Sequence, residues 1–257
     1  MTAAVRSDEA VLFPCGQTMK NRFMLAPLTN CQSHDDGALS DAEFRWLTLR
    51  SEGGFGLTMT CAAHVQPVGR GFPGQLGIYS DALLPGHRRL AQAIAAQNSL
   101  AVIQLHHAGL RSPAELIQGA AVAPSAHPKH GARGLSVQEV EALRDDFIAA
   151  ARRAQIAGYH GVEIHGAHGY VIAQFISPRY NRRTDHYGGS LENRARLLFE
   201  ILQGVRDACG PEFWVGVRLS PERFGMQLSE ILDLSSALVE TGLLDLLDLS
   251  LWDCFKT

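Results

Sequence analysis

The segment Gly161–Tyr170 (GVEIHGAHGY) holds a carboxylic acid, two imidazoles and a phenol within ten positions. Imidazoles can donate hydrogen bonds to a developing oxyanion. A phenol, whose ordinary pKa is about 10, can deliver a proton to a carbanion. If GVEIH is a strand, Glu163 and His165 share one face, because residues two apart on a strand do. His165 then closes its carboxyl end, and His168 and Tyr170 follow in the loop. The plain alternative is that one histidine is a satisfied structural residue and Tyr170 packs as wall. A metal reading also exists, in which His165, His168 and Glu163 ligate the ion of a hydrolase or lyase. Against it, the glutamate precedes the first histidine by two, and no HExxH helix is present.

Other apolar runs end in further polar groups: Pro27-Leu28-Thr29, Cys61-Ala62, Gln104 with His106 and His107, and Arg218. The Gln104 amide donates and accepts in one plane, which suits the imide edge of a planar heterocycle. Arg218 offers a permanent positive charge near such a ring. Each also has an ordinary use: Thr29 as a cap, Gln104 as a satisfied core amide, Arg218 as an ion-pair partner. No GxGxxG occurs, and Gly53-Gly54-Phe55-Gly56 lacks both the spacing and the preceding strand, so a Rossmann site is not expected.

The elements that must position these groups alternate along the chain. Strands are expected at Arg22–Leu25, Gly56–Thr60, Ala101–Leu105, Gly161–His165, Trp214–Leu219 and Leu244–Leu249. Helices are expected at Asp41–Ser51 after Ser40, at Gly86–Asn98, at Ser136–Ala157, at Glu192–Ala208 and at Leu228–Thr241. The third opens with SVQE, a capping box. Gly53, Gly158, Gly210 and Gly242 stand where left-handed caps would end helices. This βα alternation argues for a parallel sheet with helices outside it. An eight-fold barrel needs ~250 residues, so the 257 present would permit one, but only six strands are legible. The Ser112–Arg133 loop is long enough to be functional.

Composition limits the rest. With 46% hydrophobic and 19% charged residues the chain can bury a core. A net charge of −3 excludes a strongly basic nucleic-acid binder. No apolar run reaches the ~18 residues of a spanning helix, and the first residues lack a signal-peptide core. The five cysteines form no CxxC, so a reducing, cytoplasmic setting is the default expectation.

In order, the strand ends resemble the old yellow enzyme family of flavin-dependent ene-reductases. The matching pieces are KNRFMLAPLT (Lys20–Thr29), GIYSD (Gly77–Asp81), IQLHHAG (Ile103–Gly109), APSA (Ala123–Ala126), GVEIHGAHGYVIAQFISP (Gly161–Pro178) and NRRTDHYGGSLENRARLLFEI (Asn181–Ile201). They span nearly the whole chain, and the last two are highly specific. The resemblance implies a TIM (β/α)8-type barrel, one domain over residues 1–257 with about six βα units present, that holds FMN at its carboxyl face and takes hydride from NAD(P)H. By motif, Ala26, Pro27, Leu28 and Thr29 would lie along the flavin, with Thr29 near O4. Ala62 would contact the ring, Gln104 its pyrimidine edge, and Arg218 would stabilise charge at N1/O2. His165 and His168 would bind a substrate carbonyl oxygen, and Tyr170 would protonate the α-carbon of an activated alkene. The expected partners are that small molecule and, at most, further copies of the chain.

Three departures accompany the resemblance. Cys31 stands where several relatives place a substrate-contacting tyrosine. The family's HAGR reads His107-Ala108-Gly109-Leu110, with Arg111 one place late. Relatives also have about two more βα units, whose loops grip the FMN phosphate, as barrels generally do after strands seven and eight. The expectation is therefore an incomplete barrel that retains little FMN and is prone to aggregate. The Asn181–Arg194 segment reads as structural, fixing the loop that carries Tyr170.

Overall fold

A computed structural model describes residues 6–251; Cys254 and the first five residues lie outside them. Six parallel strands form one sheet in chain order: β1 (Met24–Leu25), β2 (Leu57–His64), β3 (Leu100–His106), β4 (Gly161–Gly166), β5 (Trp214–Leu219) and β6 (Leu246–Leu249). Between them run α1 (Asp41–Glu52), α2 (Leu84–Ala95), α3 (Val137–Ala157), α4 (Val171–Ile176), α5 (Leu191–Cys209) and α6 (Leu228–Glu240). Sequential parallel pairing with helical crossovers is the arrangement of a (β/α)8-type barrel, here an arc of six strands.

All six expected strands are present, with ends moved by a few residues. The α3 helix starts at a true capping box: Ser136 Oγ accepts from Glu139 N, and the Glu139 carboxylate accepts from Ser136 N. Two expected caps are corrected. Gly210 has φ 84° but ψ 174°, outside the left-handed helical conformation. Gly53 is right-handed (φ −67°), and the left-handed residue is Gly54 (φ 107°), because the last turn of α1 closes one residue later. The short α4, directly after Tyr170, had no expected counterpart. It is too brief to show a helical period.

Alternation along the strands separates two apolar layers. The outward residues Cys61, Ala101, Ile103, Val162, Ile164, Val215 and Val217 pack on the helices. The inward residues Leu57, Met59, Leu100, Val102 and Trp214 close the barrel floor with Phe13 and Met19. Trp214 fills that floor because its neighbour on the same face is Gly216. A Cβ there would come within 2.5 Å of the indole. A register shift between Met59 and Ala62 turns Cys61 outward to Glu43 of α1 and Ala62 level with Gln104. Among the described residues no helix is long and apolar enough to cross a membrane, and the cysteines are free.

Candidate active site

The same period of two sets the mouth. Above Leu100 and Val102 on β3 come Gln104 and His106; above Gly161 on β4 come Glu163 and His165; above Trp214 and Gly216 on β5 comes Arg218; above Leu246 on β6 comes Asp248. Register places Ala62 beside Gln104, Gln104 beside Glu163, His165 beside Arg218 and Arg218 beside Asp248.

Four rings gather there. His106 and Tyr170 stand 4.3 Å apart edge to face, His165 and Tyr170 5.0 Å, His165 and His168 5.0 Å, and His168 and Tyr170 6.4 Å. The loop that brings Tyr170 in is tightly turned, with His168 (φ 58°) and Gly169 (φ 69°) both left-handed. Such backbone strain concentrates at functional positions. Gln174 holds the turn. Its amide donates to Ala108 O and Gly169 O and accepts from Leu110 N. Gly109 leaves room for that amide, since a Cβ would lie 2.3 Å from Oε1. Asn181 and Arg194 secure α4 from the other side through Phe175 O and Ile176 O.

Hydrogen-bond partners assign the imidazole tautomers. His165 Nδ1 accepts from Ala167 N (3.2 Å), so its proton sits on Nε2 and is donated to His168 Nδ1 (3.2 Å). His168 then donates its own Nε2–H to Ser250 Oγ (2.7 Å). Gln75 is oriented by Gly71 N and Ala62 O, so its Nε2 donates to His106 Nδ1 (3.0 Å). His106 therefore carries an Nε2–H, and that atom is buried without a partner among the described residues. Burial, then the neighbouring imidazoles, holds His165 and His106 well below the usual histidine range. Burial and Arg218 bring His168 to about 4. All three are neutral donors near pH 7.

Below the rings, Gln104 Nε2 donates to Glu163 Oε2 (2.6 Å), while Glu163 Oε1 has no partner among the described residues. Burial, aided by Asp248, pushes the Glu163 carboxyl up to about 8. The Arg218 guanidinium pairs with Asp248 (3.0 Å) and donates to Ser250 Oγ (3.1 Å) and, at 3.4 Å, to Pro27 O on the β1 side.

Of the residues expected from sequence, Pro27, Ala62, Gln104, His165, His168, Tyr170 and Arg218 are brought to this mouth. Ala26 and Leu28 flank Pro27, Leu28 being exposed. Thr29 is exposed on the following loop, and among the described residues no hydrogen bond joins its side chain to the rings. Cys31 is exposed and left-handed (φ 53°), held from both sides by Asn30 and Ser33, which bond Glu43. The displaced Arg111 donates to His168 O (2.5 Å) and lies 4.7 Å over the Tyr170 ring. Gln75, Gln174 and Ser250 were not foreseen. His106 was legible only as a neighbour of Gln104 on the same strand face.

The donor set suits the ring of FMN. With its Nε2 committed to Glu163, Gln104 has its Oε1 available to accept an imide N–H, and Arg218 is a fixed cation for charge at N1/O2. It does not suit a metal: the lone pairs of His165 and His168 accept hydrogen bonds, one Glu163 oxygen takes the Gln104 amide, and no group of three or more His, Cys, Asp or Glu is arranged for an ion among the described residues.

Comparisons with known proteins agree with this geometry. Residues 15–254 match the family described as NADH:flavin oxidoreductase / NADH oxidase. The chain is 43% identical over 256 residues to a probable NADH-dependent flavin oxidoreductase of Bacillus subtilis, covering 95% of this chain and 68% of that protein. It is 35% identical to a probable flavin mononucleotide-dependent alkene reductase of Leishmania infantum, covering 86% and 66%. The solved old yellow enzyme homologue from Zymomonas mobilis superposes with a TM-score of 0.87 at 31% identity, covering 95% and 73%. The chain thus spans about two thirds of those two relatives, and 28% and 36% of two longer ones. On sequence, fold and site together, the chain belongs to the NADH:flavin oxidoreductase / NADH oxidase family, whose old yellow enzymes share its TIM-barrel fold.

Proposed function

We propose that this site takes hydride from NAD(P)H through FMN and reduces an activated C=C bond, as the name of the Leishmania relative suggests. The observation that carries the reading is the placement of the Tyr170 phenol among three neutral imidazoles at the carboxyl ends of β3 and β4. When bound, FMN supplies the carrier that accepts a hydride from the reductant and releases it to an electrophilic carbon. Gln104 and Arg218 would hold its pyrimidine edge, and Pro27 and Ala62 would bound the ring.

The remaining chemistry belongs to the side chains. A bound enone or enal draws the Nε2–H groups of His165 and His168 away from His168 Nδ1 and Ser250 Oγ and onto its carbonyl oxygen, withdrawing electron density from the double bond. Donation by neutral imidazoles suits an oxygen that becomes negative only during reaction. As the β-carbon gains hydride, the α-carbon becomes basic and takes the proton of the Tyr170 hydroxyl. Arg111 over the phenol ring favours charge developing on its oxygen, and solvent returns the proton. The loop bearing Thr29 and Cys31 bounds the pocket and sets substrate shape.

Anaerobic incubation of the FMN-loaded protein with NADPH and cyclohexenone tests this. One equivalent of saturated ketone per NADPH is expected; NADPH oxidation that occurs only with oxygen contradicts it. His165→Ala is expected to weaken binding of a phenolate ligand such as p-hydroxybenzaldehyde about tenfold, read from its long-wavelength absorption. Unchanged affinity contradicts the role given to His165.

A further inference from the structure

Two cavities that share His130 lie on the side of the site where Arg111 covers the Tyr170 ring. The inner one, about 500 Å³, is bounded by Arg111 and Gly169, which touch or adjoin the phenol, and by Tyr180 and His130. The outer one, about 380 Å³, is lined by His127, Pro128, Lys129, His130, Arg179 and Arg182. His130 belongs to both, so they form one trough. We propose that its outer end is a phosphate-binding subsite for the nucleotide portion of a ligand whose reactive end lies at Tyr170. This rests on the function proposed above.

Every ionisable side chain lining the outer cavity is basic. Among the described residues none of these groups enters an ion pair. Like charges brought together without a counter-charge repel, so the fold must hold them. Arg182 does this. It donates to Ala126 O (2.7 Å) and Arg179 O (3.0 Å), and its own N–H reaches Ser125 Oγ (2.9 Å), tying the 179–183 loop to the 125–133 flap. Arg183 adds a bond to Pro124 O (2.7 Å).

The binding groups are what remains. Arg179 lies 5.6 Å over the Tyr180 ring, with no hydrogen bond from its guanidinium among the described residues. Lys129 Nζ is likewise uncommitted. The rings of His127 and His130 stand 4.7 Å apart, and His127 Nδ1 is buried without a partner. A guanidinium, an ammonium and imidazole N–H groups around a small cavity are the donor set of a phosphate site. The trough's other end is lined by the Tyr180 and Phe224 rings and by Arg111, which lies over the Tyr170 ring. A pyridine nucleotide, with its phosphates remote from its reactive ring, fits both ends. An acyl-CoA carries the same phosphate chemistry.

Isothermal titration with sodium pyrophosphate at low ionic strength tests the subsite directly. One saturable site is expected. Lys129→Ala combined with Arg179→Ala is expected to weaken it at least about tenfold, with an unchanged thermal midpoint and an unchanged KM for cyclohexenone. If the hydride donor supplies the phosphate, the double variant raises KM for NADPH by a similar factor. If an acyl substrate supplies it, KM rises for an enoyl-CoA and not for the matching N-acetylcysteamine thioester. Pyrophosphate binding that survives the substitutions, or unchanged KM for both nucleotide ligands, overturns the proposal. The titration needs no turnover, so an intact pyrophosphate site in a protein that reduces no alkene would refute only the reading on which it rests.

Discussion

Each barrel strand is two different objects along its length. Toward the floor, the inward residues of β2, β3 and β5 are Leu57, Met59, Leu100, Val102 and Trp214, closed off by Phe13 and Met19. Toward the mouth, the same faces of β3, β4, β5 and β6 carry Gln104, His106, Glu163, His165, Arg218 and Asp248. Floor residues gain stability by leaving water. Mouth residues are buried as deeply in several cases yet leave His106 Nε2 and Glu163 Oε1 without partners among the described residues, which costs stability. The floor therefore offsets the cost of a mouth that leaves hydrogen-bonding capacity open among the described residues.

The sharpest way to separate the halves is to empty the floor. Trp214→Ala removes a fully buried indole that stacks edge to face on Phe13 at 5.7 Å. A loss of about 3–5 kcal/mol is expected in urea unfolding. A loss under about 1 kcal/mol would show that the floor does not carry the fold.

Glu163 gives the next effect. Its folded-state pKa of about 8 lies above the ordinary carboxylate value, so the folded chain binds the extra proton between them. The sign follows: this contribution is fully present below about pH 4.5 and is lost as pH rises toward 8, with a slope approaching about 1.4 kcal/mol per pH unit. Glu163→Gln should remove that slope while keeping the bond to Gln104. The measurement is a set of urea titrations from pH 5 to 8; a slope retained in the variant contradicts the assignment.

His168 acts in the opposite direction and more weakly. Held at about 4, it stays neutral in the folded chain while the unfolded chain takes up a proton below about 6.5. Stability is lost as pH falls from there toward 4, and His168→Gln should soften the fall. Its ring is only partly buried, which makes this the smallest of the three effects. An unchanged acid limb would place the acid sensitivity in His64, His87 and His107 instead.

Much of the mouth was legible because a strand's period of two is strict. Once Gly161–His165 is read as a strand, Glu163 and His165 must share a face, and the loop after it must carry His168 and Tyr170. The six strands could be found from apolar runs and the α3 start from SVQE. What was not legible lies in pairings across the sheet. Gln75 fixes the His106 tautomer from 31 residues away, Gln174 clamps Leu110 from 64, and Ser250 receives His168 from 82. No local pattern encodes such contacts. Arg111 is instructive in another way. One place late in sequence, it still reaches Tyr170, because the turn at Gly109–Arg111 swings its side chain over the ring. Thr29 is exposed on its loop, and the flavin contact expected from its motif position is a proposal.

Transient kinetics on Tyr170→Phe weighs the central claim most directly. The two half-reactions are followed separately, first flavin reduction by NADPH and then its reoxidation by cyclohexenone. Proton delivery by the phenol predicts a reoxidation rate lowered about 10²-fold or more, with flavin reduction nearly unchanged. Equal slowing of both halves, or neither, would contradict it.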